Sequence, residues 1–155
     1  MTRKKINRIL FVCTGNSCRS IMAEAYFLKR AKEERIPVDA ASAGTLGISG
    51  MSPADNTLKV LEEEGIDHGG LESTGLDAGL IDRADLVLVM DPQHRETVLS
   101  LVPGAADKVL YLREFSGNGN GKIIPDPMGC SLDYYRGSLG IIKKSIEGLL
   151  EWIKE

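Results

Sequence analysis

Cys13 and Arg19 stand six residues apart, separated by Thr14-Gly15-Asn16-Ser17-Cys18. An ionised thiol is a strong nucleophile. A guanidinium presents a planar fork that matches two phosphoryl oxygens. The four apolar residues Ile9 to Val12 predict a short buried strand ending at the thiol. Gly15 and Asn16 tolerate positive φ and predict a tight loop. Cys18 and Arg19 then open a helix whose periodic residues include Met22, Ala23, Phe27 and Leu28. A loop that curls onto a helix start turns several backbone N–H groups into one concavity, which takes phosphate-like anions and favours the thiolate. A lone cysteine after a strand reads as a small buried hydrophobe. With Gly15, Asn16 and Arg19 beside it, each residue has a separate role in one mechanism, and the anion-binding nucleophile becomes the better reading.

Cleavage of a phosphate ester by a thiolate also needs stabilised equatorial oxygens and an acid for the leaving group. The amides of Thr14 to Arg19 and the Arg19 guanidinium are the candidate stabilisers. No acid is local to the loop. Asp126 is the best candidate, because it precedes Pro127 in a glycine-rich stretch where a loop carboxyl could swing over a pocket. Alone, an Asp-Pro pair reads as a turn. His68 and His94 have no Cys or His partner at ligand spacing, so both are expected in surface or loop positions and no metal site is expected.

Elements must hold these residues. The first helix is expected from about Ser17 to Glu34, broken at Ile36-Pro37. Val38 to Ser42 predicts a second strand, ended by Ala43-Gly44-Thr45, and Leu46 to Met51 a loop. Ser52 predicts an N-cap, with Pro53 at the first helical position, Asp55 in the first turn, Leu58 and Leu61 as the buried stripe, and Gly65 at the end. Leu80 to Ala84 predicts a short helix. Leu86 to Met90 is a continuous apolar run, suited to a parallel strand covered on both faces. Asp91-Pro92 caps a helix reaching roughly Leu101, and Val109 to Leu112 predicts a fourth strand. Gly117 to Gly121 predicts a flexible loop. Leu132, Tyr135, Leu139, Ile142, Ile146, Leu149 and Ile153 alternate spacings of three and four, one face of a core-packing C-terminal helix, with Trp152 at the core edge.

This alternation predicts a three-layer α/β domain with a parallel sheet. Ligands in such sheets bind beyond the carboxyl ends of the strands, where Cys13, Ser42 and Asp91 fall. At 155 residues the chain is expected to be one domain, residues 1–155. With 43% hydrophobic and 26% charged residues, disordered and fibrous classes are excluded. A net charge of −3 gives no general attraction to nucleic acid or anionic membrane. The one basic cluster, Arg3, Lys4, Lys5 and Arg8, reads as a solvated lead-in to the first strand. No apolar stretch is long enough for a membrane span, and no signal peptide is legible. Three cysteines, an odd number, suit free thiols in a reducing cytoplasm.

Val12-Cys13-Thr14-Gly15-Asn16-Ser17-Cys18-Arg19-Ser20, with Met22-Ala23-Glu24-Ala25 after it, resembles the signature of the low-molecular-weight protein tyrosine phosphatase family. Ser42-Ala43-Gly44-Thr45, the apolar strand ending at Asp91, and Asp126-Pro127 match in the same order, so the resemblance covers nearly the full chain. It implies a four-stranded parallel sheet in an α/β/α sandwich and a two-step reaction without metal or other cofactor. Cys13 would form a phosphocysteine, Asp126 would act as acid and then base, and Arg19 would bind the phosphoryl oxygens. Asn16 would hold the loop with Ser42 as a partner, and Ser20 would donate to the Cys13 thiolate. Cys18 matches the family's second loop cysteine, which can form a reversible disulfide with the nucleophile; the competing reading is a spectator packed at the helix start. Cys130 is either a small buried residue or a second redox handle.

Two departures bear on substrate. Tyrosine-specific members carry an aromatic residue after Asp-Pro, where this chain has Met128. Thr14 and Ser17 are polar where those members are apolar, which resembles the branch that hydrolyses phosphoarginine on proteins. Family frequency places phosphotyrosine first and protein-arginine phosphatase activity second. A thiol-coupled arsenate reductase of the same fold would need a redox cysteine pair in mid-chain, and no cysteine lies between Arg19 and Gly129. A non-enzymatic anion-binding module would not need nucleophile, arginine and acid together. The expected partner is a phosphorylated protein substrate, with no nucleic acid and no membrane; oligomeric state is open, with a monomer favoured.

Overall fold

A computed structural model describes residues 5–117, 119 and 121–155. Arg3 and Lys4 of the basic cluster, and two residues of the Gly117–Gly121 loop, lie outside the described residues.

Four parallel strands form the middle layer: β1 (Arg8–Cys13), β2 (Asp39–Gly44), β3 (Leu86–Val89) and β4 (Val109–Tyr111), in the order β2-β1-β3-β4. β1 is therefore central, pairing Cys13 with Gly44 on one side and Val12 with Val89 on the other. Strands buried on both faces need apolar residues at every position, which accounts for the unbroken runs of β1 and β3.

One face carries α1 (Arg19–Glu33), α2 (Asp55–Glu63) and α5 (Leu132–Lys154). Ile9 and Phe11 of β1 pack there with Ile21, Met22, Phe27, Ile142 and Ile146. The rings of Phe11 and Phe27 lie 5.9 Å apart, tilted by 59°. Full burial of side chains this size contributes about 1.5–3 kcal/mol each. The opposite face carries α3 (Ala78–Arg83) and α4 (Pro92–Leu101), whose Ile81 and Val98 meet Leu10, Val12, Val87 and Val89.

The apolar stripe predicted for α5 faces the core: Tyr135, Leu139, Ile142, Ile146 and Leu149 are buried, and Trp152 packs edge-on against Phe115 at 5.4 Å. Ser131 caps this helix through its hydroxyl, which accepts from the Tyr134 N–H. Arg30 and Tyr26 of α1 both donate to the Glu147 carboxylate of α5, tying the two helices.

Three local expectations are corrected. Leu28 is exposed, because α1 turns it away from both sheet and α5. α2 is not capped by Ser52. It starts at Asp55 after an extended Ala54, whose N–H is spent on the Ser17 carbonyl rather than on a helical turn. Its buried stripe is Thr57, Val60 and Leu61, with Leu58 half-buried, because Thr57 also reaches the Ser17 carbonyl and sets the helix rotation. Asp77, unremarked in the sequence, caps α3 by accepting from the Leu80 N–H.

Candidate active site

β1 delivers Cys13, 3% exposed, to the carboxyl end of the sheet. The loop to α1 is clamped from outside. The Cys13 carbonyl accepts from the Thr45 N–H, and the Thr14 carbonyl from the Leu46 N–H. The Ser17 carbonyl accepts from the Ala54 N–H and the Thr57 hydroxyl. In a trans peptide the C=O and N–H point in opposite directions. The amides of Thr14, Gly15 and Cys18 therefore face away from those partners, toward the hollow of the loop. Asn16 takes the αL conformation at φ 54°, which asparagine accepts better than most residues.

Asn16 is fully buried and uses its whole amide on the scaffold. It donates to Ser20 Oγ at 2.6 Å and to Ser42 Oγ at 2.9 Å, and accepts from the Thr74 N–H at 2.8 Å. Ser20 Oγ lies 2.8 Å from Cys13 Sγ. With the sulfur ionised only the hydroxyl can donate, so Ser20 then donates to the thiolate. The Ser42 hydroxyl in turn donates to Glu24 Oε1 at 2.5 Å. Burial raises the Glu24 carboxyl above its ordinary value, partly offset by the Ser42 bond, with Asp39 adding to the rise.

Arg19 is 4% exposed. Its Nη1 donates to the Ile124 carbonyl at 3.0 Å, and Nη2 to Thr14 Oγ1 at 3.4 Å. Its buried Nε has no partner among the described residues. One edge of the guanidinium is thus anchored and the other stays available to an acceptor. Asp126 Oδ2 stands 3.7 Å from Nη2, and Asp126 is half exposed. Its turn is held by its own Oδ1, which accepts from the Met128 N–H at 3.0 Å. The preceding segment is anchored by the Ile124 N–H on the Met90 carbonyl, which puts Asp126 at the exit of β3.

These parts surround a pocket of about 150 Å³. Cys13, Thr14, Gly15, Ser17, Cys18 and Arg19 form its floor and walls, and Leu46, Asp126 and Met128 its mouth. Asn16, Ser20 and Ser42 stand behind it. A wider groove of about 420 Å³ beside Ile6, Leu86 and Trp152, at the amino ends of β1 and β3, gathers no nucleophile.

His94 is not a surface residue. The sheet order sets β3 beside β1, so the first turn of α4, capped by Asp91, falls against the Cys13 loop and buries the imidazole to 2% exposure. Its Nδ1 accepts from the Met90 N–H at 3.3 Å, and its Nε2 lies 2.9 Å from Thr14 Oγ1. Burial, and then the Arg19 charge, push its pKa down to about 4, against the opposing pull of Asp91 and Asp126. The ring is neutral at ordinary pH. The available signal was its place just past a strand's carboxyl end. Glu24 and Thr74 were also missed, and an alternation pattern carries no mark for either. His68 does lie in a loop, 2.9 Å from Glu62.

All three thiols are free. Cys18 is buried with its sulfur 3.4 Å from the Tyr135 hydroxyl, whose pKa is raised by burial and by that bond. Cys130 is exposed rather than a small core residue, because it closes the Asp126 turn at the surface through its N–H to the Pro127 carbonyl.

A sequence model of the low molecular weight phosphotyrosine protein phosphatase family matches residues 8–155. The chain belongs to that family, whose members are hydrolases acting through a cysteine. A protein-arginine-phosphatase of Bacillus subtilis is 34% identical over 147 residues, covering 95% of this chain and 97% of the relative. A low molecular weight protein-tyrosine-phosphatase of Streptomyces coelicolor is also 34% identical, over 96% of this chain and 94% of the relative. Among solved structures, a cysteine-to-serine mutant of the YwlE arginine phosphatase, with a phosphorylated active-site serine, superposes at a TM-score of 0.87, with 33% identity and 96% of each chain covered.

Proposed function

We propose that this chain is a cysteine-dependent protein phosphatase, with a phosphorylated protein as its partner and the cytoplasm as its compartment. The observation that carries the reading is the buried Arg19 guanidinium, anchored on one edge and with an Nε that has no partner among the described residues, in the same small pocket as Cys13 and Asp126. Cys13 Sγ attacks phosphorus as the ester P–O bond breaks, and Asp126 gives its proton to the departing oxygen. Arg19 and the loop amides hold the phosphoryl oxygens. Asp126, now a carboxylate, takes a proton from water as that water attacks the phosphocysteine. The P–S bond breaks, inorganic phosphate leaves, and Ser20 steadies the returning thiolate. The chemistry needs no metal or other cofactor.

Phosphotyrosine is the substrate the mouth supports first. Leu46 and Met128, 62% and 52% exposed, offer apolar flanks to an aryl ring. Phosphoarginine is the second reading. Ser17 puts a hydroxyl on the pocket wall and Asp126 a carboxylate at its mouth, suited to a guanidinium, and no aromatic ring among the described residues lines it. The Bacillus subtilis relative, named a protein-arginine-phosphatase, points the same way.

Hydrolysis of phosphotyrosine and phosphoarginine peptides, measured side by side, tests the choice: faster turnover of the tyrosine peptide is expected, and turnover of arginine alone reverses it. Cys13→Ser should lower turnover of an aryl phosphate by roughly three orders of magnitude or more. Full activity in that variant would overturn the mechanism.

A further inference from the structure

Thr14 is part of the pocket wall, and its hydroxyl oxygen sits between two nitrogens, His94 Nε2 at 2.9 Å and Arg19 Nη2 at 3.4 Å. The direction of both bonds follows from a third. The Met90 backbone N–H, 3.3 Å from His94 Nδ1, can only donate, so Nδ1 carries no proton. In a neutral imidazole the proton is then on Nε2, which donates to Thr14 Oγ1. Arg19 has only donors, so it too gives to that oxygen. Both acceptor positions of the hydroxyl are thereby filled by N–H groups. What remains to Thr14 is its own O–H, which can only donate, in a residue that lines the pocket.

We propose that the Thr14 hydroxyl is a further oxyanion donor to the phosphoryl group, and that His94 is the positioning residue that fixes it in that role. The inference rests on the phosphatase reading of the Cys13 pocket. His94 touches no substrate. It reads the Met90 amide on one nitrogen and sets the Thr14 proton with the other. The exit of β3 is thus connected to the loop after β1 through one side chain. Arg19 closes the circuit, since the cation that binds the phosphoryl oxygens also fills the second acceptor position of Thr14. The low pKa of the ring agrees with this role. An imidazolium would place a second N–H against the Met90 N–H, and burial together with Arg19 disfavours it, against Asp91 and Asp126.

Two isosteres separate positioning from mere packing. In H94Q the side-chain amide nitrogen stands where Nε2 stood and can still donate to Thr14. In H94N the side-chain oxygen stands where Nδ1 stood and can still take the Met90 N–H, while the donor to Thr14 is lost. Two readouts are used for each variant: the dissociation constant for inorganic phosphate by calorimetry, and kcat/KM for an aryl phosphate. H94N is expected to weaken both about tenfold, the usual effect of losing one hydrogen bond to a charged group, and H94Q by about threefold or less. T14V should also lose about tenfold. H94N introduced into T14V should add less than about twofold, because His94 acts only through that hydroxyl. The inference is overturned if H94N retains more function than H94Q, or if the H94N and T14V losses multiply. Should H94N not fold, T14S against T14V carries the test: serine keeps the hydroxyl and must keep function that valine loses, and equal losses overturn the proposal. A wild-type protein that neither binds phosphate nor cleaves the aryl ester overturns the phosphatase reading itself, an outcome distinct from wild-type activity with no His94–Thr14 coupling.

Discussion

The imidazole of His94 ties stability to pH. It titrates at about 4 in the folded chain and near 6.5 when exposed. Between those values the unfolded chain holds a proton that the native state refuses. Stability therefore falls as pH drops from about 6.5 to about 4, and the contribution is intact above 6.5. Over the whole interval the effect amounts to about 3 kcal/mol. Glu24 works with the opposite sign. Burial raises its carboxyl, so the native state keeps a proton the unfolded chain has released, and stability from this group is lost as pH rises above 4.5. Comparison with H94Q isolates the histidine, since glutamine does not titrate. Urea unfolding at pH 7 and pH 4.5 should show the wild type losing about 2–3 kcal/mol more than H94Q between the two. Parallel losses would mean that the buried ring already accepts its proton in the folded state.

At the scale of elements, Gly44 and Gly148 both lie where backbones come too close for a side chain, with opposite consequences. A Cβ on Gly44 would stand 2.7 Å from the Thr14 carbonyl oxygen and 2.9 Å from the Asn16 nitrogen, both backbone atoms of the loop between Cys13 and Arg19. A Cβ on Gly148 would run into the Phe115 carbonyl oxygen, where α5 crosses the short turn after β4, away from the pocket. Gly44→Ala should lower kcat/KM by about a hundredfold, because a loop displaced by an ångström no longer aligns its donors. Gly148→Ala should cost about 1–3 kcal/mol or more of stability while the folded fraction keeps its kcat. Initial rates and urea midpoints on both variants check this, and a Gly44→Ala enzyme with unaltered kinetics would show the loop to be less tightly held than its bonds imply. The same contrast explains what could be read from the sequence. Cys13 to Arg19 was legible because strand, loop and helix start are contiguous, and α5 because its spacing repeats over six turns. His94 was not, since its burial depends on β3 lying beside β1, a pairing no local pattern encodes. Nor was the start of α2, where Ser52 had every local mark of a cap and a long-range bond from Ala54 to Ser17 prevailed.

Across the whole molecule, the sheet order brings four distant segments to one end: the loop after β1, the end of β2 with Ser42, the turn after β3 with His94, and the Asp126 turn before α5. The last is the least constrained. It is anchored upstream, where Ile124 is bonded on both sides by Met90 and Arg19, while Asp126 itself is half exposed. In the mechanism we propose, a carboxyl so placed would act on the leaving group and the water, while Arg19 would hold the phosphoryl oxygens. Its removal should then be felt in proportion to how badly the leaving group needs a proton. Asp126→Asn is expected to slow phosphoryl transfer to Cys13 by about 10²–10⁴-fold for an unactivated phenol or a guanidine, and far less for a nitrophenol that departs as a stable anion. The measurement is the dependence of single-turnover rates on leaving-group pKa, which should steepen in the variant. An equal loss for every leaving group would mean that Asp126 serves only to hold Arg19, and that the acid enters from another part of the mouth.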